Sequence, residues 1–353
     1  MPWTDFQLND GHTIPSLAFG TWKMGNGDAP ITQVDQALGV GFDHVGAYLL
    51  VVPRVHGSIL NRSMRRGVDT AQAYRNEYEA GVAIRDSGLP RDQLFITTKY
   101  SGVDGKGIKQ SVKESLANLG ISYLDLYLIH HPRLAVPDIP TAWKEMEDIQ
   151  AAGLVKSIGV SNFEVSDLKT LIASAKVKPA ANQILLHPYV YARQKPILEF
   201  AKEHGIVIEA YSALIPITSQ PGGPVDVPVK AIAARLGVTD DQVLLAWTKA
   251  KGAVVVTTSS KKERLLGYLN AGDLELTDAD IAAIDAAGAL GPPSKLASMF
   301  TTTFTKAEPE YDVRGAPRKK TSAAAVVVPL ALLMIAGWVW VRAQSVCTKT
   351  YQV

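Results

Sequence analysis

Residues 94–130, LFITTKYSGVDGKGIKQSVKESLANLGISYLDLYLIH, contain one full repeat of the pattern that decides the fold. A short apolar run (94–98) is followed by an amphipathic stretch (108–119) ended by Gly120, and then by a second short apolar run (124–129). Short runs of this kind read as buried strands, and the amphipathic segment between them reads as a crossover helix with a glycine cap. A strand, a helix and a strand in succession make a parallel pair.

Outward from this unit the pattern repeats from residue 6 to about residue 288. A small hairpin over 6–17, turning at Asn9-Asp10-Gly11, comes first. Strands are then expected at 17–21, 42–45 or 68–70, 94–98, 124–129, 157–160, 181–184, 207–210 and 254–257. Helices are expected at 108–119, 141–152, 165–174, 195–204 and 261–270, several closed by Gly120, Gly153 or Gly205. Eight strands with crossover helices predict a (β/α)₈ TIM barrel behind an N-terminal β-hairpin. A doubly wound dinucleotide fold is disfavoured, because the first strand runs into Gly20-Thr21-Trp22-Lys23 and not a G-x-G-x-x-G turn. The glycine-rich 102–107 also lacks the Lys-Ser/Thr ending of a phosphate loop and reads as a plain loop.

Composition sets the class. Of the 353 residues 47% are hydrophobic and 20% charged, the balance of a packed globular enzyme. Net charge is +2, but six Lys/Arg and no Asp/Glu lie from Arg314 onward, which leaves a body of 30 basic against 34 acidic residues. Such a body has no electrostatic reason to bind nucleic acid. One cysteine excludes an internal disulfide and a cysteine metal site, so a cytoplasmic setting is the default; a zinc site at His130-His131 lacks further ligands, and no metal is expected. Met1 to Asp5 show no secretory leader.

In a barrel the functional side chains stand at the C-terminal ends of strands. Asp69, Lys99 and His130 occupy such ends, and Tyr74 follows Asp69 by five residues. These four types suit carbonyl reduction. A phenol of pKa about 10 is a weak acid near neutrality, and a neighbouring ammonium is expected to lower that value. Lys99 is the expected ammonium and Asp69 its counter-ion. Tyr74 would protonate the carbonyl oxygen while His130 orients it.

The stretches GFDHV, DTAQAYRNE, LFITTK, LIHHP, GVSNF, NQILLHPY and EAYSAL, in this order, closely resemble the aldo-keto reductase family over about residues 5–288. The resemblance implies a catalytic tetrad of Asp69, Tyr74, Lys99 and His130, and a nicotinamide dinucleotide at the barrel mouth. It further implies that Gly20 and Thr21 lie along the cofactor, that Ser161, Asn162 and Gln183 hold the carboxamide, and that Tyr211, with Ser212 beside it, stacks on the nicotinamide. Ser259 and Arg264 would meet a 2′-phosphate, and Trp22 and His131 would line the substrate pocket. The implied cofactor is NADPH, with NADH possible, because Thr257-Thr258-Ser259 stands where the family often has Pro-Lys-Ser and one cation is missing. His131 replaces a frequent Trp and Leu185 a frequent Glu. The partner expected is a small carbonyl substrate, on a monomer. The competing class is a non-catalytic nicotinamide-binding regulatory module on the same barrel.

Two segments depart from the pattern. Residues 46–68 separate Val45 from Asp69 inside what the family reads as one strand. Gly46-Ala47 codons can open with a splice donor and Val68-Asp69 codons can close with an acceptor in the same phase, so the 23 codons read as a retained intron. Translated, they would be an insertion able to inactivate the site, unless residues 66–68 replace the lost strand. At the other end, residues 321–341 are 21 consecutive uncharged residues preceded by Arg318, Lys319 and Lys320 and carrying Trp338 and Trp340. That stretch reads as a single transmembrane anchor, with 291–320 as a pocket-covering linker and 342–353 as a short tail.

Overall fold

Runs rich in Val, Ile and Leu become strands because branched side chains pack well on a pleated surface, while the longer periodic segments have the length to bury one helical face. In the computed structural model, which describes residues 3–41 and 66–293, the strands are β1 (Phe6–Gln7), β2 (Thr13–Ile14), β3 (Leu17–Gly20), β4 (Arg66–Asp69), β5 (Leu94–Tyr100), β6 (Leu124–Ile129), β7 (Val155–Ser161), β8 (Ala181–Leu185), β9 (Val207–Tyr211) and β10 (Ala253–Thr257). β3 to β10 close into a barrel of parallel strands in chain order, with β10 hydrogen-bonded to β3. Closure leaves no unpaired edge.

Helices Asp28–Gly39, Glu77–Asp86, Ile108–Leu119, Ile139–Ala151, Val165–Ser174 and Pro188–His204 follow successive barrel strands. Asp226–Leu236 and Asp240–Ala250 lead into β10, and Lys262–Asn270 and Asp278–Ala289 come after it. The core between sheet and helices includes Trp143, Trp247, Phe163 and Leu38, all buried. Inside the barrel Phe95, Leu126, Leu128, Ala181, Val207 and Val254 pack with Leu8 and Ile14 of the hairpin, which plugs the N-terminal end. Helix Glu77–Asp86 meets its neighbour so closely at Gly81 that a Cβ there would lie 2.6 Å from the Leu119 carbonyl oxygen.

Three differences from expectation bear on the site, while the other expected ends shift by at most two residues. β5 continues through Lys99 to Tyr100, the Lys99 charge being neutralised by Asp69 of a neighbouring strand. The helix expected at 195–204 begins at Pro188, whose missing N–H costs nothing in the first turn. The second barrel position is filled by Arg66–Asp69, which pairs with β3 and with β5 in the register Arg66↔Leu94 to Asp69↔Thr97. So residues 66–68 do take the strand position, and Arg66 donates from Nη1 to the Leu38 carbonyl at 2.7 Å. Residues 42–45 and the rest of the 46–68 segment up to 65 lie outside the described residues.

The chain divides into two units, Met1–Pro317 and Arg318–Val353. The stretch 321–341, the tail after it and the linker from 294 onward also lie outside the described residues. Among the described residues, no helix is long and apolar enough to cross a membrane.

Candidate active site

The parallel register brings strand ends together at one mouth. Asp69 ends β4 beside Gly20 of β3, Lys99 is next to last in β5, and His130 follows β6. Ser161 ends β7 beside Gln183 of β8, and Tyr211 ends β9.

Lys99 is fully buried and donates from Nζ to Asp69 Oδ1 at 2.6 Å and to the Thr70 carbonyl at 2.9 Å. A buried ammonium is tolerated only when paired and hydrogen-bonded, and this one has both kinds of partner. Burial alone would lower its pKa; the charge of Asp69, helped by Tyr74, the Asp69 hydrogen bond and Glu209, outweighs that and raises it. Lys99 is therefore a permanent cation. Its Nζ lies 5.1 Å from the centre of the Tyr74 ring. The Tyr74 ring in turn meets the His130 imidazole edge-on, centroids 5.7 Å apart and planes at 79°. The four tetrad candidates are thus one contiguous group.

The expected lowering of the Tyr74 pKa does not occur. Burial of the phenol raises it most, and Asp69 also raises it, whereas the charge and hydrogen bond of Lys99 pull it down by less. Tyr74 therefore remains protonated through neutral pH. His130 is pushed down to about 3, first by burial and then by the Lys99 charge, with His131 and Arg133 acting the same way. It is a neutral imidazole near pH 7.

The amide candidates are held rigidly beside this group. Asn162 adopts the left-handed backbone (φ 61°), a region that asparagine enters more readily than most residues with a side chain. Its Nδ2 donates to the His130 carbonyl at 3.0 Å and to Ser161 Oγ at 3.1 Å, and its Oδ1 accepts from Tyr211 Oη at 2.8 Å. Ser161 Oγ donates to the Gln183 carbonyl at 2.9 Å. Gln183 Nε2 donates to Asp69 Oδ2 at 2.8 Å and to Glu209 Oε2 at 3.2 Å, so its amide hydrogens face two carboxyl groups. Ser212 is also left-handed, φ 61°.

The remaining expected residues are placed differently. Thr21 is fully buried and its hydroxyl meets Thr70 Oγ1 at 2.9 Å and Asn76 Oδ1 at 3.0 Å. Trp22 is half exposed at 51%, with Lys23 Nζ 4.2 Å from its ring centre. His131 caps a short turn, its Nδ1 accepting from the Arg133 N–H at 3.2 Å. Ser259 and Arg264 follow β10: Ser259 Oγ accepts from the Lys261 N–H at 3.1 Å, and Arg264 Nε lies 3.8 Å from Asp241 Oδ2.

Two residues at the centre of the site escaped the sequence reading. Glu209 is buried in β9 and its carboxyl is pushed up to about 8, mainly by burial and next by Asp69, against the pull of Lys99 and Gln183. An acid in the middle of the apolar run Val207-Ile208-Glu209-Ala210 was the available signal. Ser101 lies 2.9 Å from His130 through its Oγ and Nδ1, and nothing in its sequence position announced that.

Comparison with known proteins adds the family. Residues 51–216 match the Aldo/keto reductase family. The chain is 38% identical over 288 residues to an NAD/NADP-dependent indole-3-acetaldehyde reductase of Schizosaccharomyces pombe, covering 79% of this chain and 91% of that protein. The chain belongs to the aldo/keto reductase family. It is also 33% identical to the methylglyoxal reductase DkgA of Escherichia coli, across 82% of this chain and 96% of that one. Among solved structures, an aldo-keto reductase of Brucella melitensis superposes with a TM-score of 0.67 at 32% identity, covering 81% of this chain and 99% of that one. One from Bombyx mori in complex with NADP superposes at 0.68 with 28% identity, covering 81% and 93%. The enzyme class expected from the sequence, an NAD(P)H-dependent carbonyl reductase on a (β/α)₈ barrel, is borne out.

Proposed function

We propose that this family member reduces aldehydes or ketones to alcohols, with NADPH or NADH as hydride donor and Tyr74 as the acid. The observation that carries this reading is the fully buried Lys99–Asp69 pair, 2.6 Å long, set beneath a phenol that is neutral near pH 7. A bound nicotinamide supplies the hydride to the carbonyl carbon. The chain's part is to bind, orient and protonate. Asn162, Ser161 and Gln183 offer rigid amide and hydroxyl groups matched to a carboxamide, and Tyr211 offers an aromatic face. Their mutual hydrogen bonds fit such a ligand, because amides already locked in place lose little freedom on binding. The family resemblance assigns Gly20, Thr21 and Ser212 to the same cofactor site.

Tyr74 gives its proton to the carbonyl oxygen as negative charge grows there, and the phenolate left behind is stabilised by Lys99. Asp69 keeps Lys99 charged and in position. His130, as a neutral donor, holds the carbonyl oxygen. Ser259 and Arg264 are the contacts for a 2′-phosphate, with Asp241 drawing on the same guanidinium. That competition supports use of both NADPH and NADH. Trp22 and His131 form the substrate rim.

Tyr74→Phe is the test. Carbonyl-dependent NADPH oxidation should fall by at least about a hundredfold while NADPH binding, read by fluorescence titration, is kept. Turnover that survives removes Tyr74 from its role; wild-type chain that binds NADPH but turns over no carbonyl supports the regulatory-module reading instead.

Sequence features alone support two further proposals. We read residues 46–68 as a retained intron, even though Arg66–Asp69 can serve as the strand; transcript sequencing decides, and a fully abundant message containing the 23 codons rejects it. We read residues 321–341 as a membrane anchor: the full chain should sediment with membranes and a chain ending near residue 310 should not.

A further inference from the structure

We infer that Ser101 is a positioning residue which holds His130 in its Nε2–H tautomer, and so makes that imidazole a hydrogen-bond donor to the carbonyl. The inference rests on the proposed role of His130 and adds the group that sets its proton.

A serine hydroxyl has one proton to give and two lone pairs to offer. One lone pair of Ser101 Oγ is met by the Ala73 N–H, at 3.3 Å. An Nδ1–H of His130 could give to the second lone pair only by sending the hydroxyl proton to the Lys99 carbonyl at 3.4 Å, whereas an accepting Nδ1 offers that proton a partner at 2.9 Å. Hydroxyl bonds are best near 2.7–2.8 Å and weaken with length, so the imidazole nitrogen is the better acceptor by about half an ångström. The serine itself is fixed. Its N–H donates to Gln72 Oε1 at 3.1 Å, and Gln72 Nε2 is tied to the Ser111 carbonyl at 3.0 Å.

A neutral imidazole that accepts at Nδ1 carries its proton on Nε2. Burial and the Lys99 cation keep His130 neutral near pH 7, so one nitrogen is a donor and the other an acceptor. The opposite tautomer would turn a lone pair toward an incoming carbonyl oxygen and repel it. With Nε2–H, His130 and the phenol of Tyr74 are two donors whose rings already touch edge-on, available to one acceptor. Ala73 immediately precedes Tyr74, so the same hydroxyl joins the Tyr74 turn to His130.

The experiment is a double-mutant cycle in the full chain with NADPH and an aldehyde, joined to ¹⁵N spectra of histidine-labelled protein. Ser101→Ala should lower kcat by about tenfold, the worth of one lost hydrogen bond to the His130 imidazole, with KM for NADPH unchanged and Ser101→Thr restoring most of the rate. On a His130→Gln background, Ser101→Ala should cost nothing more. The spectrum should show a pyridine-type Nδ1 and a pyrrole-type Nε2 for His130, identified by its loss in His130→Gln, and a tautomer mixture in Ser101→Ala. Equal losses in both backgrounds, or a pyrrole-type Nδ1, overturn the inference. The spectrum needs no turnover, so a failure of the catalytic reading would leave the tautomer assignment separately decided.

Discussion

At the end of the barrel where helices lead into strands, the left-handed backbone positions are glycines: Gly41, Gly88, Gly120, Gly153, Gly205 and Gly252. At the opposite mouth Lys23, Arg75, Asp104, Asn162 and Ser212 take positive φ with side chains attached, alongside further glycines. Glycine enters that region without steric cost, whereas other residues store strain there. Charges divide in the same way. Asp125 at the N-terminal end is held by Arg91 at 2.6 Å, by Lys156 at 3.3 Å and by the Ile96 N–H at 3.0 Å, a redundant set under a plugged, apolar interior. At the mouth Asp69 has one cation, Lys99, and the Gln183 amide, with Glu209 nearby kept neutral mainly by burial. One end is built for stability and the other for chemistry, and their difference is measurable.

The largest effect is expected from breaking one ion pair at each end. Lys99→Met leaves Asp69 buried without its cation and Tyr74 without its counter-charge; turnover should fall by about a thousandfold and unfolding free energy by about 3–5 kcal/mol. Arg91→Met should cost only about 1–3 kcal/mol in urea titrations and leave kcat unchanged, since two partners of Asp125 remain. A drop in kcat for Arg91→Met would break the contrast.

A smaller effect is pH-dependent. Glu209 keeps its proton up to about 8 in the folded chain but would lose it above the ordinary 4.5 when unfolded. Its contribution to stability is therefore fully present below 4.5 and lost as pH rises through 8. Glu209→Gln should gain in Tm relative to the parent between pH 5 and 9. His130 and His187, lowered to about 3 and about 4, act in the other sense, their stability being lost as pH falls below about 6.5. Parallel Tm curves for parent and Glu209→Gln would remove this carboxyl from the titration.

The smallest effect exchanges the backbone rules. Gly205→Ala, at φ 69°, should cost about 1 kcal/mol of stability with no change in rate. Ser212→Gly should be neutral or stabilising by up to about 1 kcal/mol, yet lower kcat/KM by loosening the mouth. If Ser212→Gly is faster than the parent, the strain there has no role in catalysis.

Much of this was legible beforehand. The strands at 124–129 and the helices at 108–119 and 165–174 fall where periodicity put them, because each is a pure local pattern bounded by a turn signal. β5 runs two residues past its apolar run because Lys99 is buried as one half of an ion pair. Its partner Asp69 lies 30 residues away, beyond any window that reads spacing. The start of helix Pro188–His204 was hidden by Pro188 and two tyrosines, which carry no apolar period. For the site, the tetrad candidates were readable as polar residues at strand ends. Thr21, expected in the cofactor site, puts its hydroxyl into a buried network with Thr70 and Asn76 that no spacing along the chain announces.

Sequence by itself determined the alternation of strands and helices, hence the barrel, and the set of residue types at its mouth, hence the family and the reaction class. Only the tertiary structure decided how those residues behave. Burial outweighs Lys99 and keeps Tyr74 protonated, Glu209 is neutral first because it is buried and then because Asp69 stands near it, and Ser101 meets His130 across two strands. Solvation and through-space distance govern proton affinity, and neither is a property of neighbours along a chain.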